Sequence, residues 1–101
     1  MTGAPKKRSV EILQSLESDM RGPYSGVFGY WCVGGSGDWS VTIRSCFKYD
    51  ESVGLRPADS EVWVVGAGGA ITALSDPENE WDEMMIKLHS VLRAFGVLSP
   101  S

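Results

Sequence analysis

The chain has 101 residues, 22% of them charged and 43% hydrophobic, which is the balance of one soluble globular unit and excludes a disordered tail. Thirteen acidic residues against nine Lys and Arg leave a net charge of -4, so there is no broad positive face of the kind nucleic acid requires. A chain of this size buries only about two-thirds of its surface on folding, which allows a core but limits stability without a partner.

The opening stretch M-T-G-A-P-K-K-R-S-V has no apolar run long enough for a signal peptide, and no window approaches a membrane span. The expected location is the cytoplasm. Lys6, Lys7 and Arg8 form the only basic run, and three residues read as a solvated helix face. Pro5 suits a first helical position, and Val10, Ile12, Leu13, Leu16 and Met20 make an apolar stripe through a helix expected over about 5 to 19.

V-F-G-Y-W-C-V, Val27 to Val33, is a strand by its aromatic and β-branched content, and G-G-S-G-D supplies the turn after it. In the following W-S-V-T-I-R-S-C-F-K-Y, Trp39, Val41, Ile43, Phe47 and Tyr49 share one face of a long strand. Ser40, Thr42, Arg44, Cys46 and Lys48 share the other. The looser D-E-S-V-G-L-R-P-A-D-S leads to a third strand at E-V-W-V-V, and G-A-G-G-A breaks it before a short I-T-A-L continuation. Cys32 and Cys46 could face each other across strands, but without a secretory signal they read as reduced thiols. The predicted fold is α+β: an antiparallel sheet of three to four strands flanked by an N-terminal and a C-terminal helix.

The last helix opens in S-D-P-E-N-E-W-D-E-M-M-I-K and runs to about Phe95. Ser75 with Glu78 three residues on is a capping box, Pro77 fits the first turn, and acids near a helix N-terminus favour the macrodipole. At about 100° per residue, Trp81, Met84, Met85, Leu88, Val91, Leu92 and Phe95 fall in one sector, expected to be core, while His89 lies opposite as a surface residue. As the only histidine, His89 excludes a His-based zinc site or a Ser-His-Asp triad within this chain. Glu80, Glu83 and Lys87 fall within about 60° of each other on a stripe bordering the core sector. Two carboxylates on one edge can hold magnesium when substrate and water complete the shell, although Glu83 with Lys87 is also an ordinary i,i+4 ion pair.

Two other features point to a negatively charged ligand. Gly66 to Ala70 has almost no side chains, so its N–H groups can approach an anion; taken alone, the segment reads better as a β-bulge or tight sheet packing. Arg44, in mid-strand, presents a fork that suits a carboxylate, or reaches solvent from the polar face.

T-G-A-P-K-K-R-S-V-E-I-L, R-G-P-Y-S-G-V-F-G-Y, V-T-I-R-S, G-A-G-G-A-I-T-A-L-S-D-P-E and E-W-D-E-M-M-I-K resemble, in that order, the C-terminal part of the chorismate-utilising enzymes. That family includes the component I chains of anthranilate synthase and aminodeoxychorismate synthase, and isochorismate or salicylate synthases. The resemblance runs from Thr2 to about Phe95, and the wording around G-A-G-G-A is most similar to the fungal aminodeoxychorismate synthases.

The resemblance implies a partial chorismate-binding fold over residues 1–101, incomplete upstream, with Mg2+ as cofactor. It places Glu80 and Glu83 as magnesium ligands and Lys87 beside the same charged region. Arg44 and Tyr24 match residues that hold the enolpyruvyl carboxylate, and backbone amides of Gly68, Gly69 and Ala70 match the segment that binds substrate carboxylate. Ala70 stands where relatives commonly have glycine. The implied partners are chorismate, the remainder of the catalytic domain and a glutamine amidotransferase domain or subunit, with no nucleic acid and no membrane. Further glutamates, a histidine and a ring-attacking lysine lie upstream in the family, so the chain alone is expected to be inactive. Anthranilate or isochorismate synthase, or a non-catalytic binding module, stay open as alternatives.

Overall fold

The computed structural model describes residues 1–48 and 61–96. Tyr49 and the connection expected over 50–60 lie outside them. Among the described residues there are two α-helices and four strands, the strands forming two antiparallel pairs, so the α+β arrangement with a helix towards each end holds. The chain divides into two compact units, Met1–Ile43 and Arg44–Ser101.

In the first unit, α1 spans Lys6–Leu16, with Pro5 outside it as the N-cap. The helix stops short of its expected end because Glu17 turns extended, its N–H still bonded to Leu13 O at 2.8 Å. Ser18 and Asp19, which favour turns over helix interiors, follow it. Arg21 folds back onto this end: its Nε donates to Glu17 Oε2 at 3.3 Å and its Nη1 to Met1 O at 2.7 Å. Ser25 is buried with φ 62°, and its carbonyl accepts from the Met1 ammonium while its N–H donates to Thr42 O at 2.8 Å.

That bond and Thr42 N–H to Gly26 O at 2.9 Å extend the ladder of a hairpin formed by β1 (Val27–Trp31) and β2 (Gly37–Val41). The register pairs Val27 with Val41, Gly29 with Trp39 and Trp31 with Gly37 on one face. Gly35, at φ 92°, supplies the left-handed residue that lets a short loop close a right-twisted hairpin. Gly29 is required by close approach, since a Cβ there would meet Asp38 O at 2.1 Å and the Trp39 ring at 2.9 Å.

The long strand expected from Trp39 to Tyr49 is interrupted. Ile43 N–H turns back to Val41 O at 3.0 Å, and Arg44 takes φ 52°, a conformation no strand continues through. Arg44 therefore sits at a kink, exposed, and the alternation that placed Ile43 and Phe47 on one face of a single strand is broken.

In the second unit, β3 (Cys46–Lys48) pairs with β4 (Trp63–Val65), matching Cys46 to Val65 and Lys48 to Trp63. Glu61 accepts from Lys48 and from Trp63 Nε1, the latter at 3.2 Å. I-T-A-L does not continue β4: Thr72 N–H donates to Ser75 Oγ at 2.9 Å and Ser75 N–H to Thr72 O at 3.1 Å, which folds the stretch into a turn. Ser75 is thereby used before the helix starts. α2 (Pro77–Leu92) is capped instead by Asp76, whose Oδ1 accepts from Asn79 N–H at 3.1 Å, with Pro77 in the first turn as expected. A 3-10 turn at Arg93–Phe95 follows, ended by Gly96 at φ 72°, and Phe95 stacks at a tilt on Trp63 with ring centroids 5.8 Å apart.

Met84, Met85, Leu88, Val91 and Leu92 are half-buried, as their sector requires, whereas Trp81 remains 62% exposed. Phe95, also expected in the core sector, is 46% exposed, so the sector is half-buried only from Met84 to Leu92.

Two substitutions test these assignments. Gly29→Ala should open the hairpin, at on the order of 1–3 kcal/mol for a clash with backbone, read as faster amide exchange from Val27 to Val41. Asp76→Ala should lower α2 helicity by about 1 kcal/mol of capping in circular dichroism, with Ser75→Ala costing the cap less.

Candidate functional site

The second unit brings two charged side chains, Glu80 and Lys87, towards one stretch of backbone. The loop between β4 and α2 carries Gly68, half-buried, and Gly69 and Ala70, exposed. A Cβ built on Gly69 would lie 3.2 Å from Glu80 Oε2 and 4.0 Å from Lys87 Nζ. Without a side chain at 69, Glu80 lies closer to the loop than a Cβ would allow without a small shift, while Lys87 is at ordinary contact distance. Glu80 comes from the first turn of α2 and Lys87 from two turns further along the same stripe, which is how their spacing places them.

Lys87 Nζ donates to Glu83 Oε1 at 2.5 Å, the i,i+4 pair anticipated from spacing. This hydrogen bond, with the Lys87 charge, holds the Glu83 carboxyl below the usual carboxylate range, slight desolvation opposes the shift, and the Arg44 charge adds to it. Arg44 thus acts on the same region electrostatically, although from a kink and not from a strand. Glu83 is exposed and Glu80 half-buried.

Of the residues expected to bind, Arg44, Gly68, Gly69, Ala70, Glu80, Glu83 and Lys87 belong to one unit. Tyr24 belongs to the first unit, half-buried in the turn between Gly22 and Ser25. The pairing of Gly69 with Glu80 was not predicted; a loop separates them, and helical periodicity carries no information about what faces a helix. Among the described residues no three His, Cys, Asp or Glu side chains cluster as a metal set, so this unit offers a pair of carboxylates. The thiols of Cys32 and Cys46 are free.

The lowered Glu83 group has a definite pH consequence. The pair is fully formed above the ordinary glutamate range and is lost as pH falls through the depressed folded value. Lys87→Met should return Glu83 towards an ordinary carboxyl, seen as a higher titration midpoint of its 13Cδ resonance by NMR; an unmoved midpoint would remove Lys87 as the cause.

Residues 1–93 match the chorismate binding enzyme family. The chain is 54% identical over 95 residues to a putative aminodeoxychorismate synthase of Schizosaccharomyces pombe, which covers 94% of this chain and 12% of that protein. It is 46% identical over 104 residues to the aminodeoxychorismate synthase of Saccharomyces cerevisiae, with the same coverage, and 36% identical over 99 residues to anthranilate synthase component 1 of Synechocystis, covering 98% of this chain and 18% of that protein. No solved structure matches. The chain thus spans only about an eighth of the length of its yeast relatives, 12% in each, and it belongs to the chorismate binding enzyme family.

Proposed function

We propose that this chain supplies one edge of the chorismate site of an aminodeoxychorismate synthase, which joins chorismate and ammonia into 4-amino-4-deoxychorismate on the way to p-aminobenzoate and folate. The observation that carries this reading is the placement of Glu80 and Lys87 against the bare backbone at Gly69, with Glu83 ion-paired to Lys87. Similarity to aminodeoxychorismate synthases from two yeasts supports the choice of product.

The donor chemistry suits magnesium. Glu80 and Glu83 offer hard carboxylate oxygens on one stripe of α2, and Mg2+ is commonly held by one or two carboxylates together with substrate and water. In this reading both glutamates hold the ion, which supplies Lewis-acid polarisation of the leaving hydroxyl. The chain's own residues do the rest. Arg44 and Lys87 balance the charge of the chorismate dianion, and the amides of Gly68, Gly69 and Ala70 donate to a substrate carboxylate; Tyr24 is assigned by its match to a family position that holds the enolpyruvyl carboxylate.

Two partners complete the scheme: the remainder of the catalytic domain, and a glutamine amidotransferase domain or subunit that delivers ammonia. Exposed apolar side chains such as Leu74, 97% exposed, and Trp81 support the first of these. The chain by itself is proposed to be catalytically silent. No helix among the described residues is long and apolar enough to cross a membrane, and the proposed location is the cytoplasm. A second reading, anthranilate synthase, is favoured by the match to the Synechocystis protein and uses the same edge of the site.

The test is a chimera in which this chain's matched segment replaces that of the S. pombe relative. The chimera should form 4-amino-4-deoxychorismate from chorismate, ammonia and Mg2+, and Glu83→Gln within it should cut the rate at limiting Mg2+ by at least about tenfold, the scale of a lost catalytic electrostatic contact. A folded chimera whose activity ignores Glu83→Gln at limiting Mg2+ would remove the metal assignment, and anthranilate as product would select the second reading.

A further inference from the structure

Lys87 is not extended into solvent as a helix-surface lysine usually is. Its side chain is only 24% exposed, its Nζ is bonded to Glu83 Oε1 at 2.5 Å, and it lies 4.0 Å from the Cβ position of Gly69, a point that is itself 3.2 Å from Glu80 Oε2. The ammonium is therefore held on the Glu83 carboxylate and towards the loop that Glu80 also approaches. Glu83, at 57% exposed, stays open on its other side.

From this placement we infer that Lys87 is a tethered cation that competes with a divalent metal ion for the Glu83 carboxylate, an inference that rests on the magnesium reading of this edge. A carboxylate has oxygens for both, but an ammonium and a dication held on one carboxylate repel each other strongly. Lysine is the residue that can yield: it is a compact charge on a flexible four-carbon stem, and rotation about that stem carries the ammonium away without moving α2. Glu80 has no comparable ion pair among the described residues and is the ligand available without displacement, so the two glutamates are unequal. Once released, the Lys87 ammonium is free to face a carboxylate of the anion that arrives with the metal.

Removing a positive charge anywhere nearby would raise metal affinity somewhat, so the test must separate competition at Glu83 from a general field effect. A double-mutant cycle does this. In the chimera described above, Mn2+ dissociation constants are measured by electron paramagnetic resonance for the parent, Lys87→Met, Glu83→Gln and the double variant, with Lys87→Gln as a second replacement and circular dichroism to confirm folding of each. Competition predicts that Lys87→Met tightens Mn2+ binding roughly two- to fivefold, the worth of an exposed helix ion pair, and that this gain disappears in the Glu83→Gln background. Equal gains in both backgrounds, or no gain from either lysine replacement in the parent, would overturn the inference and leave the metal site standing. If Glu83→Gln by itself leaves Mn2+ binding unchanged, Glu83 is not a ligand, and the metal reading falls together with the inference.

Discussion

Backbone hydrogen bonding and short-range side-chain pairs, without a hydrophobic core, hold the described residues in place. Among them no apolar side chain is buried, and the single buried polar residue, Ser25, sits where the Met1 ammonium and the Thr42 carbonyl meet the turn before the first hairpin. Short helices and two-stranded hairpins are marginal in water when nothing covers their apolar faces. The exposed apolar side chains reflect that constraint: Trp81 stands exposed, both faces of the β1–β2 hairpin carry exposed aromatics, and no residue of α2 is more than half-buried. Elements of this kind gain stability when further chain covers them, and the yeast relatives are about eight times longer, this chain spanning 12% of each.

The site is less demanding than a core. Glu80, Glu83 and Lys87 need only the rigidity of one helix to be held on a common edge, and the capping of that helix by Asp76 with Pro77 in its first turn provides it. Gly69 then needs only to come close. The short pair of strands β3 and β4 delivers the loop to the helix edge, so one compact unit assembles the charged cluster without help from the hairpin unit. The electrostatic result is a pair of carboxylates and a pair of cations of opposed effect, in which Glu83 is already held in its ionised form by Lys87 and, to a lesser degree, by Arg44.

The sequence by itself determined the elements whose signals are local. Helical periodicity and the capping residues put a helix from Pro77, the Gly-rich turn closed the first hairpin, and spacing alone set Glu80, Glu83 and Lys87 on one stripe and paired Glu83 with Lys87. The quoted motifs were enough to identify the family. The tertiary structure decided what depends on contacts distant in sequence or on choices between near-equal local options. Ser75 and Asp76 are both good caps, and the Thr72–Ser75 turn settled which one serves the helix. Alternation ran unbroken from Trp39 to Tyr49, but the φ of Arg44 ended the strand, because side-chain patterning does not register a single left-handed residue. Most of all, only the fold set Gly69 against Glu80 and Lys87: a helix specifies the geometry of its own stripe, and what lies opposite that stripe is decided by where the chain returns.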